Sequence, residues 1–260
     1  MKKLSWFTVL ISCFLLLSCL EVNEEIAIDQ NGAGTFVTKM DMAQLVEMMQ
    51  AMGGAEMEKE GLDKIIDSTI SMASVVDSAK DLTADQRDLL KDGKMRLQMN
   101  LKEKLFKIDT DIKFKNYNQL QSLLGGTGGG MSVFGNLMKK VMGGKGEEEK
   151  QDMPDSPKDP GLDEVGTIYD VEVKDGLISK KLNKAKYDAL MAKPEMEQMK
   201  QVSGMGMEVL YTTTLKLPRP VKSSDNPAIK LSIDKKTVTI KYNYLDAFEN
   251  PEKLNYTITF

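Results

Sequence analysis

Two side chains in this sequence could carry covalent chemistry of their own, Cys13 and Cys19, its only cysteines. A thiol can close a disulfide, hold a soft metal, attack a carbonyl or accept an alkyl or acyl group. Most of those reactions need a partner, and the usual partners are missing. The 260 residues contain no histidine, which removes the common general base near neutral pH and the commonest metal ligand. A Ser-x-x-Lys phrase occurs once, at Ser232-Ile233-Asp234-Lys235, in a turn-like stretch rather than on a helix that would put both side chains on one face. In GGTGGGM, Met131 stands where a dinucleotide fingerprint would need its third glycine. The run Glu147-Glu148-Glu149 and the scattered Asp152, Asp155, Asp159 and Asp163 lack calcium-loop spacing. The 19 methionines are spread along the chain and read as core filling rather than a copper site. No catalytic residue, metal site or cofactor is therefore expected. A formal net charge of -4 without a basic stripe argues against a nucleic-acid partner.

The surroundings of the cysteines decide what they are for. Lys2 and Lys3 precede an uncharged run from Leu4 to Leu17. That run is shorter than the roughly 18 residues a membrane span needs, and it suits the apolar part of a secretory signal. The phrase Leu16-Leu17-Ser18-Cys19 resembles a bacterial lipobox. The resemblance implies cleavage between Ser18 and Cys19, a diacylglycerol thioether on Cys19, and acylation of the new amino group with a palmitate-type chain. Leu10-Ile11-Ser12-Cys13 also fits the pattern, but an apolar run follows it, whereas Glu21, Glu24 and Glu25 follow Cys19 and read as the start of a polar tether. On this reading Cys13 leaves with a signal peptide over 1–18, and the mature chain keeps no free thiol and no disulfide. An uncleaved anchor over Leu4 to Leu20 would also place the remainder outside the cytoplasm. Two or three acyl chains anchor stably, at roughly 0.8 kcal/mol per buried CH₂.

The elements that would position these residues alternate sharply. Val22, Ile26 and Ile28, then Phe36, Thr38 and Met40, predict a hairpin over 21–40 around Asp29 to Gly34. Met95 to Leu101 and Phe106 to Phe114 predict a second hairpin turning at Lys102 to Lys104, with Lys107, Asp109, Asp111 and Lys113 on its wet face. Tyr169, Val171 and Val173 lead to an Asp175-Gly176 turn. Met207 to Leu217 predicts a long strand stopped by Pro218. Ile229, Leu231 and Ile233 predict another, returning through Val238 to Tyr244, and Leu254 to Phe260 a last one. Helices are predicted after Asp41 (Leu45, Met48, Met49, Met52), over Leu62 to Val76, after a Thr83/Gln86 capping box, after Asn116, and from Asn183 to a break near Pro194. Asp67-Ser68-Thr69 and Asp77-Ser78-Ala79 match a short O-glycosylation phrase of Bacteroidota. The expected fold class is α+β, a mostly antiparallel sheet of hairpins packed by amphipathic helices.

Residues 125–165 differ in kind, being rich in Gly, Pro and charge, and read as a flexible insert between a first part at 19–124 and a second at 166–260. Within it, over 131–142, Phe134, Leu137, Met138, Val141 and Met142 fall on one helical stripe with Lys139 and Lys140 off it. This short amphipathic helix could cap the core, dock on an envelope protein, or lie on the bilayer.

The opening of the expected mature chain, Cys19-Leu20-Glu21-Val22 then Ile26-Ala27-Ile28-Asp29 and a Gly-x-Gly turn, resembles small Bacteroidota envelope lipoproteins. With LPRPVKSSDNPAIKLSIDKKTVTIKYNY it loosely resembles the mycobacterial LppM-type lipoprotein domain, which carries a C-terminal membrane segment not seen here. The resemblance implies a lipid-anchored cell-envelope protein with a non-catalytic binding or structural role. Leu20 in place of an aspartate points to the outer membrane. A carrier for a lipid or other apolar ligand under Met48, Met49 and Met52 is the alternative, and a hydrolase the third.

Overall fold

The computed structural model describes residues 18–44, 46–47, 65–76, 83–125, 165–194, 196–197 and 208–260. In chain order the elements are β1 (Ser18–Ile28), β2 (Gly34–Asp41), β3 (Ile66–Ser71), α1 (Ala73–Val76), α2 (Ala84–Leu90), β4 (Lys94–Asn100), β5 (Leu105–Phe114) and α3 (Tyr117–Leu124). Then come β6 (Tyr169–Lys174), β7 (Leu177–Leu182), α4 (Lys184–Met191), β8 (Glu208–Lys216), β9 (Ser223–Ser224), β10 (Lys230–Leu231), β11 (Thr237–Asn243), α5 (Asp246–Glu249) and β12 (Tyr256–Thr259). The fold is α+β. An eight-stranded sheet runs β10-β11-β8-β1-β2-β5-β4-β3, and a four-stranded sheet runs β6-β7-β12-β9.

Local chemistry explains most boundaries. The β1–β2 turn closes where Asp29 Oδ1 accepts from the Asn31 and Ala33 N–H groups at 2.7 and 3.0 Å. Gly32 sits there at φ 80°, with the Tyr117 ring where a Cβ would stand. Thr83 and Gln86 form a reciprocal capping box that starts α2. Asn116 and Asn183 cap α3 and α4 by accepting from Gln119 and Lys186 N–H groups. After β2, Asp41 Oδ1 accepts from the Ala43 N–H at 3.1 Å. The stripe residues Leu45, Met48, Met49 and Met52 lie outside the described residues.

The large sheet is antiparallel except at its centre, where β1 and β8 pair in parallel, Val22 opposite Tyr211 and Ile26 opposite Leu215. It therefore draws strands from both sides of residues 125–165. One face of each sheet turns inward, and the two inner faces share one core. Val22, Ile26, Ile112, Leu120, Ile178, Leu215, Val238, Ile258 and Phe260 are 0% exposed within it. The outer face of the large sheet is polar, crossed by pairs such as Lys107–Asp41 at 3.1 Å and Lys216–Glu25 at 2.6 Å.

Three expectations are corrected. Within the helix expected over Leu62 to Val76, the described residues 65–76 form instead β3 followed by the four-residue α1. Ile66 and Ile70 are four apart, a spacing that fits both periods, and they settle opposite Met99 and Met95 of β4. Asp67-Ser68-Thr69 thus lies on an edge strand, and Asp77-Ser78-Ala79 lies outside the described residues. The strand expected from Ile229 to Ile233 shrinks to Lys230–Leu231, with Leu231 and Ile233 exposed, a short edge that discourages further pairing. Leu254 closes a 3-10 turn at Pro251–Leu254 rather than opening β12.

Candidate functional site

Ser18 and Cys19 begin β1, and only their backbone is described. Ser18 pairs with Glu208 and Leu20 with Val209, so the ladder bulges at Cys19. Phe134, Leu137, Met138, Val141 and Met142 lie outside the described residues. Ser232 and Lys235 meet only within a turn: the Lys235 N–H donates to the Ser232 carbonyl at 2.9 Å, while Ser232 Oγ donates to Asp234.

The structure brings together a different set. On β1 the inward positions read Val22, Glu24, Ile26 and Ile28, so a carboxylate occupies an apolar parity. Register continues this polar row across four strands: Thr110 opposite Thr38, Thr38 opposite Glu24, and Glu24 opposite Thr213. The three threonines are buried, and the Thr38 and Thr110 hydroxyls have no hydrogen-bond partner. The adjacent row carries Tyr211 and Tyr242 opposite each other. Tyr211 stacks on Tyr242 with ring centroids 5.4 Å apart and on Tyr244 at 5.3 Å.

The small sheet answers from the other side. Ile178, Lys180 and Leu182 share the inward parity of β7, and Lys180 stands between Val171 of β6 and Tyr256 of β12. Its ammonium lies 4.5 Å from the Tyr169 ring centroid and 5.8 Å from that of Tyr242. Tyr169 is itself fixed by donating its hydroxyl to the Pro251 carbonyl at 2.9 Å.

Glu24 and Lys180 perturb one another without touching. Both are half-buried, and no ion pair joins them. Burial pushes the Glu24 carboxyl up to about 7, against the pull of Lys180. Burial brings Lys180 down to about 8, against the pull of Glu24. Burial, and then the Glu24 charge, keep the Tyr211 and Tyr256 hydroxyls protonated far above their ordinary range. Tyr242 is raised likewise, by burial, Tyr211 and then Glu24. No hydrogen bond within the described residues joins the Glu24 carboxylate, the Lys180 ammonium or the Tyr211, Tyr242 and Tyr256 hydroxyls to one another, and unlike the Thr38 and Thr110 hydroxyls their polar atoms are still reached by solvent.

Polar groups taken from water normally find partners, because an unmade bond costs about 1–3 kcal/mol. Here only the Thr38 and Thr110 hydroxyls forgo a bond in the dry interior, while an acid, an amine and three phenols converge from two sheets where solvent or a ligand still reaches them. Such a set can hold a small ligand that presents an acceptor to Lys180 and a donor to Glu24. It can also exchange a proton near neutral pH. On the flank of this set an open groove of about 300 Å³ is lined by Gln121, Ser122, Gly125, Tyr169, Asp170, Val171 and Lys186. Tyr169 is common to both, its ring under Lys180 and the residue also lining the groove.

In the sequence Glu24 reads as tether polarity, and Lys180 reads as one lysine among many. The available signal was a charged residue on the apolar parity of a strand, at Val22-Glu24-Ile26 and Ile178-Lys180-Leu182. No cluster of acids with metal-site geometry occurs among the described residues. No protein-family model, curated protein or solved structure matches the chain.

Proposed function

We propose that this chain is a lipid-anchored cell-envelope protein, held at the outer membrane through Cys19, whose domain binds a ligand without transforming it. The observation that carries the reading is the junction at Ser18–Cys19. The lipobox-like Leu16-Leu17-Ser18-Cys19 closes the apolar run after Lys2 and Lys3, the first charge follows at Glu21, and Leu20 is already paired in β1. The anchor thus meets the fold at its first strand. The convergence of Glu24, Lys180 and the tyrosines beside an open groove supports a binding role, and the lack of histidine supports a non-catalytic one.

Growing cells on a clickable fatty acid tests the anchor. Wild type and Cys13→Ala should incorporate label and Cys19→Ala should not; equal label in Cys19→Ala overturns it. Native mass spectrometry of protein extracted from its own envelope tests the binding role. A small-molecule adduct should accompany wild type and be lost from folded Lys180→Met, and adduct-free wild type would refute it.

A further inference from the structure

We propose that the end of the large sheet at which β1 begins lies against the bilayer, bringing the turn Leu101–Lys104, residues 243–250 and Ile65 to the lipid headgroups. This rests on the reading of Cys19 as the acylated residue.

The argument is one of tether length. A flexible linker of n residues spreads its ends by roughly 5–6 Å × √n, which lets a domain tumble below its anchor. Cys19 has no such linker. Its neighbour Leu20 already pairs with Val209, and Glu21 pairs with both Asp41 and Leu210. β1 is moreover a central strand, held on one side by β2 and on the other by β8. Swinging the cysteine away by more than its own residue would break the Leu20–Val209 pairing, and then the Glu21 pairings on both sides. Acyl chains on Cys19 therefore set not only the distance of the domain from the membrane but its angle.

Register identifies what shares that end. From Glu21 the row runs through Asp41 to Lys107 and Gln98 in one direction, and through Leu210 to Asn243 in the other. Beyond it lie the 3-10 turn Leu101–Glu103, the left-handed Lys104, the start of β3 and α5. Ile65 is 75% exposed there, and Lys102 is exposed beside half-buried Leu101. An exposed isoleucine and lysines suit the boundary between headgroups and acyl chains. The end is not a basic patch, since Lys104 pairs with Glu47 at 2.9 Å and Lys107 with Asp41 at 3.1 Å. Attachment comes from the acyl chains, and the contact should resist salt. The opposite end, with the turn after Ile28 and the hairpin at Ser232–Lys236, stands about 30 Å away by the rise of a strand. Ile233 at that far tip is fully exposed.

Once Cys19 is a thioether and Cys13 has left with the signal, an added cysteine is the only thiol. Lys102→Cys, Ile65→Cys and Ile233→Cys can each be purified as lipidated full-length protein and labelled with bimane. They are then placed in phosphatidylcholine vesicles with headgroup nitroxides. Quenching should be several-fold stronger at positions 102 and 65 than at 233, and unchanged in high salt. Inserting a Gly-Ser linker after Glu21 is avoided because it would break β1; a linker directly after Cys19 should erase the difference. Equal quenching at all three positions in vesicle-bound protein overturns the orientation alone. Protein that carries no fatty acid and does not float with vesicles overturns the anchor itself.

Discussion

Two acid–base pairs in this molecule invite comparison. At the edge of the large sheet, Arg96 grips Asp67 with two bonds of 3.0 Å, and Gln98 adds a third at 3.4 Å. The Arg96 guanidinium, chiefly by hydrogen bonding, holds the Asp67 carboxyl below its usual range. Between the sheets, Glu24 and Lys180 have stronger reason to pair and do not, and burial moves each toward its neutral form. The edge pair is satisfied and wet, and solvent screening keeps its contribution to stability small even with two parallel bonds. The interior pair burdens the fold. A position kept at a cost to stability is where a ligand-binding function is best sought.

The comparison breaks most visibly if one interior partner is removed. Lys180→Met should destabilise in urea titrations above the Glu24 value of about 7, where the carboxylate is charged and has lost the pull of Lys180. The loss should shrink below that pH, as Glu24 protonates. Next, Glu24→Leu combined with Lys180→Met should recover wild-type stability or exceed it by about 1–2 kcal/mol, since apolar replacement of a whole buried pair is neutral or favourable. The same double variant should lose its ligand adduct. A double variant as unstable as Lys180→Met alone would mean the pair supports the fold.

A smaller effect is the pH dependence of wild type. The folded Glu24 value lies above its ordinary 4.5, so its contribution is fully present below 4.5 and is lost as pH rises through about 7. The folded Lys180 value lies below its ordinary 10.5, so stability returns as pH rises from about 8 toward 10.5. The stability difference between wild type and Glu24→Gln should therefore vary between 4.5 and 7, and a flat difference would show that Glu24 titrates normally. The smallest effect belongs to the edge: Arg96→Ala should leave the thermal midpoint nearly unmoved. A large drop there would invert the comparison.

Local signals were legible where they were unambiguous. The alternation of Val22 to Met40 and the Asp29 turn specify the first hairpin, and the Thr83/Gln86 pair specifies the start of α2. Ile66 and Ile70 were not legible, because a spacing of four belongs to both periods and only the pairing with β4 decides. The parallel β1–β8 contact leaves no local trace, since each strand alternates as it would in any sheet. The candidate site depended on that contact. Glu24 reads as ordinary strand or tether polarity until β8 and the small sheet surround it.

The position of β1 also constrains how the chain reaches its native state. Its neighbour β2 is supplied at once by a short turn, but β8 comes from far along the sequence, as the Glu25–Lys216 pair, 191 residues apart, makes plain. Pairings of such separation slow folding, because a long loop must close before any contact compensates for its lost entropy. If the chain is exported starting from its N-terminus, β1 emerges first with one flank open. It stays open until residues 208–216 have followed. The segment that leads the chain out of the cell interior would then be locked into its sheet only after 191 further residues have followed Glu25.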